Sequence, residues 1–512
     1  MNSNRPSFTL IGCLTLSTIA CAQAPQNPQP QTASANQLSL SGRSGQTGSV
    51  TAVQSPVPGA TTSVNTINTS VQTQGPYSGS AGAAAPPFSG TLSFKEAIQR
   101  GLAFNLGGIG LEEAVLQARG QSRVSRSTLL PNLTSSVSET VQQTNLRALG
   151  IRFSSPIPGF RFPSVVGPYN YFDLRARLTQ NIANVTDLKN YRSSQEVVRA
   201  NEQSLSDAKD LVVMGVGGAY LQVVAAAARV EAERAQVDTA QALFDQASQQ
   251  RTAGVLALTD LNRSEVQLLT ERQRMVSLEN DLSKQKINLA RLIGIPATDR
   301  FEIVGDVPFA AAPALDEEAT LKQAYEKRAD LKAAESQVRA ATLAHAAARA
   351  ERLPSLSLSG DYGVIGTNPS QSHGTFSVVG TLSVPIWIGG RTEGDIQQAE
   401  AALAQRRAEL EDARSRVESD VRNAFLDLRA ASQQVEVARR NIEVSKQNLV
   451  LTRQRFTAGV SDNVEVVQAQ QSVASAELDY IDSVFAHNVA KLTLARAVGG
   501  ADQNIARFFN IH

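Results

Sequence analysis

Thr252-Ala253-Gly254-Val255 recurs 205 residues later as Thr457-Ala458-Gly459-Val460, each copy midway through a long run rich in alanine and charge. Glycine accepts the left-handed backbone that other residues resist, and so serves as a helix stop. Each copy therefore reads as the tip where one long helix ends and another returns. No proline lies between Pro168 and Pro296, and none after Pro385. A helix over about 186–251 would be roughly 100 Å long at about 1.5 Å per residue. Such a helix must lie against its own return, 257–294, and against further helices, as in coiled-coil packing. The whole reads as two copies of one large unit.

Both units follow one order. The first opens with Leu92-Ser93-Phe94-Lys95-Glu96-Ala97-Ile98 and reaches Leu130-Pro131-Asn132-Leu133. The second opens with Thr320-Leu321-Lys322-Gln323-Ala324 and reaches Leu353-Pro354-Ser355-Leu356. After each proline the period changes from helical to two, since Leu356 and Leu358 alternate with serines. Return strands follow: Phe172, Leu174, Ala176 and Leu178 alternate with Asp173, Arg175, Arg177 and Thr179, and Phe376 to Val384 alternate likewise. Four strands of about ten residues suit a membrane span, and a soluble antiparallel sheet equally. The run 153–169 reads as an exposed loop.

The apolar stretch 211–228 is long enough to be a membrane helix. Its repeat partner argues against that, because Ala219-Tyr220-Leu221 aligns with Ala424-Phe425-Leu426, amid Asp420, Arg422, Asp427 and Arg429. A buried bundle helix is the better reading, with Gly215, Gly217 and Gly218 there for close packing.

Residues 1–22 read as an export signal, with Arg5, an apolar core and Ala20-Cys21-Ala22 as the cleavage region. Two readings stay open: ordinary cleavage after Ala22, or acylation of Cys21 at an imperfect lipobox with Thr18 three residues before it. Residues 23–90, rich in Pro, Gln, Ser, Thr and Gly, are expected to form a disordered arm. The remaining divisions are a first repeat over 91–295, a linker over 296–318, a second repeat over 319–501 and a tail over 502–512.

Charge is balanced, 48 basic against 47 acidic residues, so no nucleic-acid partner is implied. Cys13 and Cys21 are the only cysteines, both near the start, which leaves the mature chain no internal disulfide. The four histidines have no metal-ligand spacing, and no phosphate loop or nucleophile elbow is present. No enzyme, cofactor or metal is expected.

A four-stranded membrane sheet has two open edges, which hydrocarbon does not tolerate. Several copies must then share one barrel, with their helices arranged about the same axis. The rival reading is a periplasmic coiled-coil structural or adaptor-like protein without a pore, which leaves the four strands unexplained.

The repeat opening, the Leu-Pro lead into each strand, Val384-Pro385-Ile386-Trp387-Ile388-Gly389-Gly390-Arg391 and the paired Ala-Gly-Val tips together resemble the TolC family of outer-membrane efflux proteins. Arg328-Ala329-Asp330-Leu331 is also similar to the family's Arg-Pro-Asp-Leu. The likeness covers about 92–501. It implies an α+β membrane protein whose protomers trimerise into a 12-stranded β-barrel, continued by a periplasmic α-helical barrel. It also implies a passive exit duct of a tripartite pump or type I secretion system, for small molecules or proteins. The partners would be a periplasmic adaptor, outer-membrane lipid and, indirectly, an inner-membrane transporter.

The resemblance puts adaptor docking at Ala253, Gly254 and Val255 and at Ala458, Gly459 and Val460, where the plainer reading is helix capping alone. It sets Asp260 and Glu465 at the periplasmic gate, with Gln468 at a second gate position that is often aspartate. Acids there would attract cations, whereas solvated helix-surface acids are the plainer reading. Gln180-Asn181-Ile182-Ala183-Asn184 replaces the family's Pro-x-x-x-Gly-Gly, so the two units are expected to differ most at this junction and in the 147–169 loop.

Overall fold

The computed structural model describes residues 48–57, 66–81, 88–150, 163–296, 298–303, 309–310, 315–458, 460 and 463–509. The export signal and Cys21 lie outside these residues, as does Gly459.

Two equivalent series of elements follow one another. The first is β3 (Gly90–Leu92), α1 (Phe94–Phe104), α2 (Leu106–Ser127), β4 (Asn132–Asn145), β5 (Val165–Ala183), α3 (Val185–Thr252) and α4 (Leu258–Ile293). The second is β6 (Phe301–Ile303), α5 (Glu317–Lys327), α6 (Ala329–Ala350), β7 (Ser355–Gly366), β8 (His373–Ser383), α7 (Arg391–Thr457) and α8 (Asn463–Val498). Side-chain caps start several helices: Ser93 accepts from the Glu96 amide before α1, and Asp316 from Ala319 before α5. A left-handed Gly294 ends α4.

The strands form one antiparallel sheet in the order β4-β5-β7-β8. Its register lines Val137, Leu174 and Val364 across one face, with Leu133, Leu178 and Val378 beside them, and all but Val364 are exposed. The opposite face is polar, because the side-chain period is two. There Arg175 reaches Asp361 at 2.6 Å, and Ser377 donates to the same carboxylate at 2.6 Å. β5 is 19 residues long, nearly twice the expected strand. Residues 165–169, read as loop from sequence, continue this strand instead, held by β4 alone once β7 has ended. Residues 151–162 of that loop lie outside the described residues.

From the sheet, α3 runs 68 residues and α7 runs 67. Their sheet-proximal halves pack with α2 and α6 in the order α2-α3-α6-α7, and their distal halves with α4 and α8 in the order α4-α3-α8-α7. Between these halves lies the core. Val212, Val213, Val216 and Tyr220 of α3 meet Phe94, Val417, Val421, Leu492 and Leu494, so the apolar stretch is a buried bundle segment, as its repeat partner requires. β3 and β6 pair in parallel beside it, and the Tyr220 hydroxyl donates to the Leu92 carbonyl at 3.1 Å.

One expectation is corrected here, and the tail left without a reading proves to have structure. The arm over 23–90 is not disordered throughout: β1 (Val50–Val57) and β2 (Thr66–Thr73) form an antiparallel hairpin. The hairpin lies on α3 and α8. Composition misleads because the apolar surface comes from the helices. Gly215 and Gly218 expose the α3 backbone, so that Val71 sits where a Cβ on Gly218 would be, 2.5 Å away. The C-terminal tail is likewise folded, as α9 (Ala501–Phe509), with Phe508 and Phe509 buried and the Phe509 ring 5.2 Å from Phe94.

The junctions from strand to helix differ as the sequence suggests. In the first unit Asn184 caps α3, and Asn181 and Asn184 both bond Asp187, at 2.9 and 2.8 Å. In the second, seven residues intervene, with Ile386 and Trp387 exposed and Gly389 and Gly390 at positive φ.

Candidate functional site at the helical tips

Both hairpins turn by one device. In the first, the Gly254 amide (φ +73°) bonds the Arg251 carbonyl at 2.9 Å and the Val255 amide bonds Gln250 at 3.0 Å. These two bonds satisfy carbonyls that the end of α3 would leave open. In the second, the Val460 amide bonds Arg455 at 3.0 Å, and Ala458 has the same backbone conformation as Ala253. Such a turn usually folds its outer apolar residue back onto the helix. Here Val255 is 80% exposed and Val460 70%, and Leu258 at the start of α4 is exposed too. Each tip thus presents an exposed valine whose amide is bonded back to its own helix.

Behind the tips stand the expected gate positions. Asp260 pairs with Arg263 at 3.1 Å, one turn along α4. Glu465 pairs with Arg455, across the second tip, at 3.2 Å. Gln468 is exposed on α8. The arginines were missed in the sequence reading, although the i,i+3 spacing of Asp260 and Arg263 is a recognisable signal. Each acid carries its own counter-charge, so the pair offers the weak field of exposed ion pairs and not a bare anionic ring.

Two further features were not read from sequence. Val266, Leu269, Val276 and Ile287 stand exposed on α4, and Leu426, Val437, Val444 and Leu451 on α7. Their spacings of mostly seven or eleven residues put each set on one helical face. Arg328, 4% exposed, clasps Asp330 at 2.7 Å and Asp420 of α7 at 2.8 Å. Beside this clasp Arg496 pairs with Asp207 at 3.1 Å. Burial pushes Asp210 up to about 6, against the amides of Gly500 and Asp502 that bond it.

A family model described as outer membrane efflux protein matches residues 112–295 and 320–500, both repeats almost entire. The chain belongs to this outer membrane efflux protein family. Among curated proteins this efflux protein is 27% identical to the outer membrane protein OprJ of Pseudomonas aeruginosa over 394 residues, which is 75% of this chain and 79% of OprJ. Among solved structures it matches the Campylobacter jejuni CmeC outer membrane channel with a TM-score of 0.69 at 16% identity, covering 81% of this chain and 89% of CmeC. It also matches a membrane protein from P. aeruginosa with a TM-score of 0.68 at 21% identity, covering 79% and 93%. At these identities the structural likeness speaks for the fold. The efflux protein is therefore an outer-membrane protein that extends into the periplasm.

Proposed function

We propose that three copies of this efflux protein close into one passive duct, the outer-membrane exit of a tripartite pump or type I secretion system. The observation that carries this reading is that the protomer is open at its edges on three levels. Among the described residues the sheet ends in β4 and β8 without further partners, the upper helix row in α2 and α7, and the lower row in α4 and α7. Unpaired strand edges are untenable in hydrocarbon, and the exposed stripes of α4 and α7 have the spacing of a coiled-coil seam. One operation, setting β8 and α7 of one copy against β4, α2 and α4 of the next, satisfies all three. Three copies give twelve strands, a closed and stable number for a barrel with an aqueous lumen.

The tips are then the periplasmic mouth. Val255, Leu258 and Val460 form the apolar surface on which a periplasmic adaptor's helical hairpin docks. Ala253, Gly254 and Ala458 hold its backbone, with Gly459 expected to do the same in the second turn. Asp260, Glu465 and Gln468 line the constriction just inside. Their compensation by Arg263 and Arg455 makes it only mildly cation-attracting.

The test is the mass of protein extracted from outer membranes in mild detergent, by light scattering corrected for bound detergent. A protein mass near three chains, followed by discrete conductance in planar bilayers, is the expected result. A water-soluble monomer recovered without detergent would overturn the duct and leave the coiled-coil scaffold.

A further inference from the structure

The two helical hairpins correspond residue for residue at the offset of 205 from Ala219 and Ala424 through both tips to Gly294 and Gly499. One buried layer breaks the correspondence in chemistry. In the first hairpin it holds Glu233 of α3, 2% exposed, and Glu271 of α4, 5% exposed. The matching residues of the second are Ala438 of α7 and Ala476 of α8, both buried. Two carboxyl groups thus occupy, between α3 and α4, the place that two methyl groups fill between α7 and α8.

The surroundings compensate one of these acids and not the other. Arg274 of α4 lies 3.5 Å from Glu271, and the Gln267 side chain donates to the same carboxyl. Oε1 of Glu233 is buried and has no hydrogen-bond partner among the described residues. Burial, and then the facing Glu271 carboxyl, raise Glu233 from its ordinary 4.5 to about 7, with Arg274 opposing. Several of the other charges nearby are already matched, and Asp479 of α8 is raised by burial and by Asp482. Glu477 of α8 is held by Lys446 of α7 at 2.8 Å and by Gln236 of α3 at 3.1 Å, and Glu231 of α3 pairs with Arg234 at 3.0 Å. Two buried acids therefore share one cation.

We propose that Glu233 and Glu271 form a proton-operated latch that loosens α3 from α4 while α7 and α8 stay packed. With one proton between them, the Glu233 carboxylic acid donates to the Glu271 carboxylate and the seam closes. Without it, two like charges face each other where water cannot screen them, and relief comes from parting the helices to admit water. The layer lies 19 residues before Thr252, roughly 28 Å from the tip at about 1.5 Å per residue. On the duct reading above, the latch makes one tip in each protomer freer than the other, and more so as the periplasm turns from acid to neutral. The pair is thus a pH-dependent determinant of how readily the mouth opens.

The sign follows from linkage. An acid whose folded pKa lies above its unfolded value stabilises the seam fully below about 4.5 and loses that effect as pH rises to about 7. The opening constant of the α3/α4 seam should therefore grow roughly thirtyfold between pH 5.5 and 8 and level off beyond.

Amide hydrogen exchange of the full chain in mild detergent, followed by mass spectrometry and referenced to intrinsic exchange rates, reads this directly. Protection over 225–245 and 265–280 should fall with rising pH by that factor relative to the matched stretches 430–450 and 470–485. Glu233→Gln keeps the donor at every pH and should flatten the difference. So should Glu233→Ala combined with Glu271→Ala, which copies the second hairpin. Equal pH responses of the two hairpins in the wild type would overturn the latch, as would a difference that survives in Glu233→Gln. Exchange reports on the seam whether or not the protein conducts, so its result is separate from that of the light-scattering test.

Discussion

Replacing Gly218 by alanine should release the N-terminal hairpin while leaving the rest of the protein at least as stable. A Cβ built on Gly218 would lie 2.5 Å from Cγ2 of Val71 and 2.8 Å from its Cβ and Cγ1. Carbon atoms pack at about 3.5–4.0 Å, so Val71 must withdraw by about 1 Å. Overpacking of this kind costs about 1–3 kcal/mol. Alanine is also the better helix former, by about 1 kcal/mol. That gain is present whether the hairpin is docked or free, so it cancels from the docking equilibrium and appears only in global stability. The free fraction of the hairpin should rise by about 5- to 150-fold, at about 1.4 kcal/mol per decade.

A two-stranded hairpin alone is marginal in water, so undocking amounts to local unfolding of β2. The rate at which thermolysin cuts before Val71, measured where reclosing outpaces cleavage, then reports the free fraction. Gly215→Ala should give a smaller increase, since its Cβ would meet Thr73 Cγ2 at 3.1 Å. Gly120→Ala on α2 is the control, with nothing within 4 Å of its Cβ. Cutting of β2 at the wild-type rate in Gly218→Ala would refute the view that these glycines seat the hairpin.

Arg328→Met should destabilise the protein by about 3–5 kcal/mol at pH 7, because it leaves the carboxylates of Asp330 and Asp420 without their clasp. Asp330 is held below its ordinary value by that arginine, against the opposing effect of burial. The wild type therefore loses this stabilisation as pH falls through the lowered value of Asp330, and inactivation half-lives of variant and wild type in detergent should lie closer together at pH 3 than at pH 7. Half-lives equally far apart at both pH values would count against the clasp. Gly254→Ala meets no neighbour within 4 Å but must hold φ +73°, so about 1–2 kcal/mol of local strain should appear as faster amide exchange in the last turn of α3. Its assembly mass should not change. Val255→Asp should weaken binding of an adaptor's isolated helical hairpin at least tenfold by calorimetry, again at unchanged mass; equal affinity would remove Val255 from the docking surface.

What was legible in the sequence was what periodicity and repetition encode. The tips, the four strands and the long helices follow from glycine positions, from alternation and from the absence of proline, each a local property. The second copy supplied a check on the first, which is how the apolar stretch around Val212 could be placed in a bundle and not in lipid. What escaped was whatever depends on a partner distant in the chain. β1 and β2 carry few apolar residues, and the seat at Gly215 and Gly218 that receives Val50, Val71 and Thr73 lies far away in the chain. Phe508 and Phe509 gave no pattern in so short a tail. The counter-charge on Glu465 comes from Arg455, on the far side of a turn, where no fixed spacing announces it. The acid layer at Glu233 and Glu271 was legible in principle, since aligning the two units sets it against Ala438 and Ala476. Its meaning needed the burial that only the fold supplies.

The internal joints of the protomer connect a first-unit element to a second-unit one: β5 to β7, α3 to α6, and α3 to α8. In the proposed trimer the open edges would also pair a second-unit element with a first-unit one, β8 with β4 and α7 with α2 or α4. Around a closed ring of three the units therefore alternate, and joints within and between chains are equivalent to first order, an approximate sixfold arrangement. A ring of six equal joints has no preferred place to give way. Departures from equivalence create one, and two of them stand out among the repeated elements. At the membrane end are the capped junction at Asn184 and the open one at Ile386 to Gly390. In the helical stem are the two carboxyl groups facing two alanines. Symmetrising the stem with Glu233→Ala and Glu271→Ala should then do more than remove a pH response. Without a weaker hairpin, single-channel records should show fewer partially open levels at neutral pH than the wild type shows. Unchanged sublevels in a variant whose exchange difference has vanished would mean that the mouth yields at the joints between chains and not within the first hairpin.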